Sequence, residues 1–359
     1  MNRILLPVVL MLILPGNAAL AQTRSADPVI AAPHISTFSI VAYDPGSGDY
    51  GVAVQSRYFA VGDVVPHASA ETGAIATQAR GNLQYGADGL ELLAQGMAAD
   101  KVVEQLISAD PLRNERQLGI VDRQGDAVSF TGEDCLPWAG GRIGENYAVQ
   151  GNLLTGPHVV DAMATAFETA PGDFASRLVY AITAGQAAGG DARGRQSAAL
   201  LVVRKQGGYL GLTDRYIDLH VEDHPPPIRE LSRLLNIRQA QLATSKAKRL
   251  LQQVSASKGA TRSGLIIQAR EQMQQAVQLH PQDDYGWWLL ASIYLLEEQP
   301  AAAAEAAQRA LLENPAWRRL PAPTRASLGV EPELISALLE IESFKRVWNS
   351  LAPKEPLTP

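Results

Sequence analysis

The sequence predicts an α+β domain, with sheets and helices in separate layers, followed by an all-α region. Three observations predict it. Strand hairpins come first, helical patterns fall between them, and strands return before residue 221. The run His224-Pro225-Pro226-Pro227 then ends the alternation, because three prolines continue neither a sheet nor a helix. From Ile228 onward the spacing is helical, and residues 269–281 match residues 303–315 at an offset of 34.

In chain order, residues 37–43 (TFSIVAY) are rich in β-branched and aromatic side chains and read as the first strand. A turn cluster over 44–49 separates them from a second strand at 50–55 (YGVAVQ), forming an antiparallel hairpin. Ile40 and Val41, like Val52 and Ala53, make both faces apolar, so both faces must be covered. A third strand spans 74–78, and helical patterns follow at 87–95 and 99–109, closed by Pro111. Segments 117–121 and 127–131 flank Asp122-Arg123-Gln124-Gly125 as a second hairpin, and 147–151 is another strand. Helices are expected over 159–168 and 174–187, and strands over 197–203, 209–212 and 216–221.

In the helical region, Trp287, Leu290, Ala291 and Tyr294, then Ala303, Ala307, Ala310 and Pro315, fit the tetratricopeptide (TPR) spacing. Small residues stand where two helices cross closely, larger ones beside them, and proline at the stop. Ala269, Ala276 and Pro281 take the equivalent second-helix positions one repeat earlier. This gives one full repeat, 283–315, preceded by the second helix of another, with Gly259 inside that repeat's first helix. A final amphipathic helix over 331–348 caps the stack. Repeats of this kind need about three units, so this region leans on flanking helices or on the first domain. The expected division is 1–21 signal peptide, 22–36 linker or pro-segment, 37–235 first domain, 236–262 linking helix, 263–350 TPR-like domain and 351–359 tail.

The signal peptide rests on Arg3, an apolar stretch over 4–14, the breakers Pro15 and Gly16, and Ala19-Leu20-Ala21 before Gln22. That stretch is too short to span a bilayer comfortably, and no later segment resembles a membrane span, so a periplasmic or secreted location is expected. With 46% hydrophobic residues among 359, global disorder is excluded. A net charge of −6 gives no electrostatic reason to expect nucleic acid as a partner. Cys135 stands alone, so neither an internal disulfide nor a cysteine-rich zinc site is available. No glycine-rich cofactor fingerprint opens a helix, and no cofactor is expected. His220 and His224 are four apart but run from a strand into prolines, which does not suit shared metal ligation.

Several runs carry a family resemblance: 37–42 (TFSIVA), 51–62 (GVAVQSRYFAVG), 76–79 (ATQA) with Asn82, Tyr85 and Gly86, 138–140 (WAG), 150–152 (QGN), 185–201 (GQAAGGDARGRQSAALL) and 214–219 (DRYIDL). Over about residues 36–235 the chain resembles the bacterial family catalogued as domain of unknown function 1028, a predicted relative of the N-terminal-nucleophile (Ntn) hydrolases. The resemblance implies a four-layer αββα sandwich, two antiparallel sheets between helical layers. It also implies a nucleophile that is the first residue of the mature chain, with its own α-amine as general base. A free hydroxyl is a weak nucleophile near neutral pH, and an α-amine with a pKa of about 8 is matched to take its proton. Thr37, at the start of the first strand, takes that place. Signal cleavage leaves residues 22–36 in front of it, so a second cut between Ser36 and Thr37 is required.

Asn82 and Asn152 are the expected oxyanion donors. Gln55-Ser56-Arg57 parallels a D-S-R turn of proteasome-like relatives, with glutamine in place of the acid; Arg57 and Gln78, both in the matched runs, are expected substrate-binding residues. Asp191, Arg193 and Arg195 lie in a glycine-broken loop suited to clamping a substrate carboxylate, with the Asp orienting the arginines. The first expectation is an exported amidohydrolase or peptidase acting on a small amide through Thr37. The alternative is a non-catalytic periplasmic binding or assembly protein, an inactive core fused to a TPR scaffold for protein partners. A third reading is a sensor that grips a carboxylate ligand through Arg193 or Arg195. A homo-oligomer is expected in each case.

Overall fold

The computed structural model describes residues 36–351. The expected signal peptide, residues 22–35 of the expected pro-segment and the tail beyond Leu351 lie outside the described residues. The described residues form an N-terminal antiparallel sheet domain followed by a helical region.

Strands β1 (Thr37–Asp44) and β2 (Asp49–Ser56) pair in register from Thr37 opposite Ser56 to Asp44 opposite Asp49. The remaining strands are β3 (Pro66–Ser69), β4 (Gly73–Ala79), β5 (Arg116–Asp122), β6 (Ala127–Thr131), β7 (Gly140–Gly144), β8 (Tyr147–Gly151), β9 (Ser197–Val203) and β10 (Arg215–Val221). They make a six-stranded sheet in the order β10-β9-β2-β1-β8-β7 and a four-stranded sheet in the order β3-β4-β5-β6.

The period of two along each strand sorts side chains between faces. Phe38, Ile40 and Ala42 of β1 pack against α3 (His158–Thr169) and α4 (Phe174–Ala187). Ile75, Leu118 and Ile120 of the smaller sheet pack against α1 (Gln84–Ala94) and α2 (Ala99–Ser108). Val41, Val52, Ala74, Ala76 and Val121 fill the space between the sheets.

Two strands were not legible in the pattern. Strand β7 (GGRIG) is glycine-rich and largely exposed, and β3 starts with a proline; both are sheet edges, held from one side only. Conversely, residues 209–212 are not the expected strand but a 3-10 turn. Strand β10 begins pairing where Arg215 meets Val203, so the intervening segment has no strand beside it.

Helix α5 (Pro227–Val254) runs 28 residues, with Pro227 in its first turn, where a missing N–H is harmless. Its Ile228, Leu231 and Leu235 belong to the core of the sheet domain, whereas Ala240, Ala243 and Ala247 belong to the helical core. Residues 235 and 236 therefore lie inside one helix shared by both cores. Ala240→Pro is expected to lower stability by about 3 kcal/mol or more, because proline removes a helix hydrogen bond and clashes with the preceding turn. A drop in calorimetric unfolding temperature checks this.

The chain continues through α6 (Gly259–Leu279), α7 (Asp284–Leu296), α8 (Pro300–Glu313), α9 (Ala322–Ser327), α10 (Pro332–Leu339) and α11 (Glu342–Ser350). Ala269 and Ala276 on α6, and Ala303, Ala307 and Ala310 on α8, are buried. The single helix expected over 331–348 is two helices. Leu334, Ile335 and Leu338 face the core, but in an unbroken helix Phe344 would point about 120° away from Leu338. The break lets Phe344 and Trp348 join the same core.

Candidate functional site

Between the sheets, the filling changes from apolar to polar towards the start of β1. Thr37 and Ser39 lie in the same inward row as Val41, Gln78 in the row of Ala74 and Ala76, Gln117 in the row of Val121, and Gln150 and Asn152 in the row of Ala148. All six polar residues are buried. Their side chains interlock by hydrogen bonds, apart from Gln150 Oε1, which is buried without a partner among the described residues. Ser39 Oγ donates to Gln78 Oε1 at 2.7 Å and accepts from Gln150 Nε2 at 2.6 Å. Gln78 Nε2 and Asn152 Nδ2 both donate to Gln117 Oε1 at 2.9 Å. A Cβ at Gly119 would stand 2.1 Å from Gln150 Oε1, so any larger residue there would push that glutamine out of its present position. Such networks rigidify when their members find partners.

At the edge of this network sits the Ser36–Thr37 linkage. The Thr37 hydroxyl donates to Ser56 Oγ at 3.1 Å, and Ser56 Oγ donates to the Ser36 carbonyl at 2.6 Å. Arg193 Nη2 donates to the same carbonyl at 2.8 Å. The Thr37 carbonyl accepts from the Asn152 backbone N–H at 3.0 Å and from Gln78 Nε2 at 3.4 Å.

Arg193 is held by Asp191, whose side chain is wholly buried. One carboxylate oxygen accepts from Arg193 Nε and the Arg193 backbone N–H, the other from Arg193 Nη2 and the Arg57 backbone N–H. Gly190, at φ +62°, turns the chain into this loop. The expected pairing of Asp191 with an arginine is present, but the arginine's free face meets a backbone carbonyl. A carbonyl whose oxygen accepts from two donors is polarised, its carbon made more electrophilic, and negative charge developing on the oxygen is stabilised.

The other expected site residues separate. Asn152 joins the group through its backbone N–H and commits its side chain to Gln117. Asn82 does not join it. Its side chain accepts from the Gln84 backbone N–H, its carbonyl accepts from Thr77 Oγ1, and it lines a groove between α1 and α2. Thr77 faces the opposite side of β4 from Gln78, which carries Asn82 away. Arg57 contributes its backbone N–H, and its exposed side chain lines a cavity with Arg195 and His224. Ser36, Ser39, Gln117 and Gln150 were missed as site residues, and Ser56 stood only as part of the Gln55-Ser56-Arg57 turn. The signal was a polar residue in an otherwise apolar inward row, as in Ala148-x-Gln150-x-Asn152.

His220 lies among carboxylates. His220 Nε2 lies 3.0 Å from Asp218, while Nδ1 lies 3.5 Å from both Asp63 and Glu222. Hydrogen bonding to Asp218, with the other carboxylates nearby, raises its pKa and favours the imidazolium. Cys135 is buried, donates to the Arg116 carbonyl, and burial pushes its thiol up to about 11. Because only the thiolate reacts, native protein at pH 8 is expected to resist iodoacetamide and to be labelled once unfolded. Rapid labelling of the native chain, read by mass, would contradict this.

Two packed antiparallel sheets, helices on their outer faces and a buried polar cluster at the first strand define an α+β domain built around a strand terminus. A family model described as a family of unknown function (DUF1028) matches residues 37–231, and the chain belongs to that family. A crystal structure of a protein from Silicibacter pomeroyi, also assigned to DUF1028, is similar at 31% identity and a TM-score of 0.51, covering 56% of this chain and 88% of that one. No curated protein matches the chain. Among the described residues, no helix is long and apolar enough to cross a membrane.

Proposed function

We propose that the first domain is a four-layer αββα Ntn-hydrolase-like sandwich, and that the chain is an exported amidohydrolase of small amides with Thr37 as nucleophile. The observation that carries this is the Ser36 carbonyl, which receives Arg193 Nη2 and Ser56 Oγ while Ser56 accepts from the Thr37 hydroxyl.

The arrangement supports release of Thr37 by its own side chain. Thr37 Oγ1 attacks the Ser36 carbonyl carbon, its proton passing to Ser56 as Ser56 gives its own to the carbonyl oxygen. The C–N bond then breaks as the proton on the former carbonyl oxygen passes to the leaving nitrogen, the C=O re-forms, and an ester joins Ser36 to the Thr37 oxygen. Water hydrolyses the ester, leaving a Ser36 carboxylate and a Thr37 with a free α-amine. That amine takes the hydroxyl proton when a substrate amide follows, and the same two donors face the new oxyanion. Intact-mass measurement of the exported protein is expected to find Thr37 first. A chain that turns over substrate but begins at Gln22 would end the assignment.

A second reading has one favourable observation, the buried alanines where α7 and α8 cross. They support one TPR-like repeat, with α6 as the second helix of a preceding one, and so a scaffold for protein partners beside an inactive core. That reading predicts no cleavage before Thr37.

A further inference from the structure

We propose that the surface around Arg195 binds the carboxylate of a small N-acyl amino acid, making the substrate of the proposed amidohydrolase an anion. The inference rests on that reading for the reaction, but not for the binding.

Arg195 lines two cavities. One, of about 510 Å³, is shared with Arg57, Asp223 and His224. The other, of about 440 Å³, is shared with Gln186, Pro226, Ile228 and Arg229. Both sizes suit a small ligand. Among the described residues, Arg57, Arg195 and Arg229 make no ion pair, whereas the nearby Arg193 and Arg233 pair with Asp191 and Glu230. Unpaired cations lining common cavities, in a chain of net charge −6, are a local exception to its overall balance. Arg57 and Arg195 share one wall and Arg195 and Arg229 the other, with Asp223 on the first wall but in no ion pair with them; a bound anion would relieve the repulsion between the cations, and the guanidinium fork matches a carboxylate.

Two buried polar atoms lie on residues of the same walls. Among the described residues, His224 Nδ1 and Gln186 Oε1 have no hydrogen-bond partner. A buried orphan acceptor is unfavourable, and a turn of the Gln186 side chain toward the cavity it lines would let Oε1 accept from a ligand N–H. Pro226 and Ile228 offer apolar surface beside it. Carboxylate, N–H and short apolar chain together specify an N-acyl amino acid.

The walls are preformed. The Gln196 backbone N–H donates to the Ser56 carbonyl at 2.9 Å, and that of His224 to the Gln196 carbonyl at 2.8 Å. The loop that carries Arg195 also carries Arg193, so one rigid segment connects the anion site to the donors on the Ser36 carbonyl. Rigid walls lose little entropy on binding. Arg193 and Arg195 thus divide the work that a single clamp would have shared.

The test uses the full chain carrying Thr37→Ala, so that no nucleophile acts on the ligand. N-butanoylglycine and its neutral carboxamide are titrated by calorimetry at low ionic strength. The acid is expected to bind at least tenfold more tightly than the carboxamide, and Arg195→Ala to remove at least tenfold of that affinity. Arg57→Ala is expected to weaken it too, while Arg233→Ala leaves it unchanged. Equal binding of the two compounds, no binding of the acid, or indifference to both Arg57→Ala and Arg195→Ala would overturn the proposal. Binding of the acid by a chain whose natural form never starts at Thr37 would keep this site and remove the hydrolase. A natural form that starts at Thr37, with a Thr37→Ala chain that ignores the acid, would do the reverse.

Discussion

Arg193→Gln is expected to slow release of Thr37 on the order of 100-fold, the usual loss when one donor to a developing oxyanion is removed. In the folded chain Arg193 Nη2 and Ser56 Oγ are the two donors to the Ser36 carbonyl. Ser56→Ala should slow release as well, since Ser56 also takes the Thr37 proton in the proposed chemistry. Thr37→Ala should retain residues ahead of position 37, and Thr37→Ser should cleave. All four variants are read by intact mass after a timed incubation. Because Asp191 is wholly buried, removing its arginine leaves a carboxylate poorly matched, and such losses destabilise by several kcal/mol. Arg193→Lys restores the charge but not the fork, and a thermal melt of each variant separates slow chemistry from failed folding. Cleavage of folded Arg193→Gln at the natural rate would rule out the proposed role of this arginine.

Trp288→Ala is expected to cost about 3–5 kcal/mol, the range for emptying a large aromatic site in a core. Trp288 is 1% exposed and meets Trp317 and Phe344 edge-on, with ring centroids 6.0 and 6.3 Å apart. These contacts tie α7 to the turn after α8 and to α11, so the hole would loosen three segments at once. Among the described residues, the buried indole Nε1–H of Trp288 finds no partner. Trp288→Phe removes that unsatisfied donor along with one ring, so its cost should be clearly smaller than that of the alanine variant. Urea unfolding curves measure both. Similar losses for the two would mean that packing of the six-membered ring contributes little.

How far the site was readable depended on the range of the interactions. Thr37 stood out as the residue opening an apolar strand, and Asp191 and Arg193 as charges in a glycine-broken loop. Each is a local signal, carried by neighbours within a few positions. Ser56, Gln117 and Gln150 could not be joined to them in this way. Ser56 meets Thr37 through hairpin register, and Gln117 meets Asn152 only because two sheets stack. Asn82 shows the converse failure: it is four residues from Gln78 in sequence, yet its contacts lie on the other side of β4.

The same division holds for the helical region. Ala303, Ala307 and Ala310 announced a close crossing, because small side chains at helical spacing let two helix backbones approach each other. The break between α10 and α11 had no such mark; it follows from where Trp288 and Trp317 already sit.

By itself the sequence determined the alternation of strand and helix, the switch at the triple proline, the family and the strand start at Thr37, since each follows from local spacing or from a run of residues. Only the tertiary structure decided that Arg193 meets the Ser36 carbonyl while Arg195, two positions on, lines separate cavities. Alternation sets which face a side chain takes, but what waits on that face is supplied by chain more than a hundred residues away.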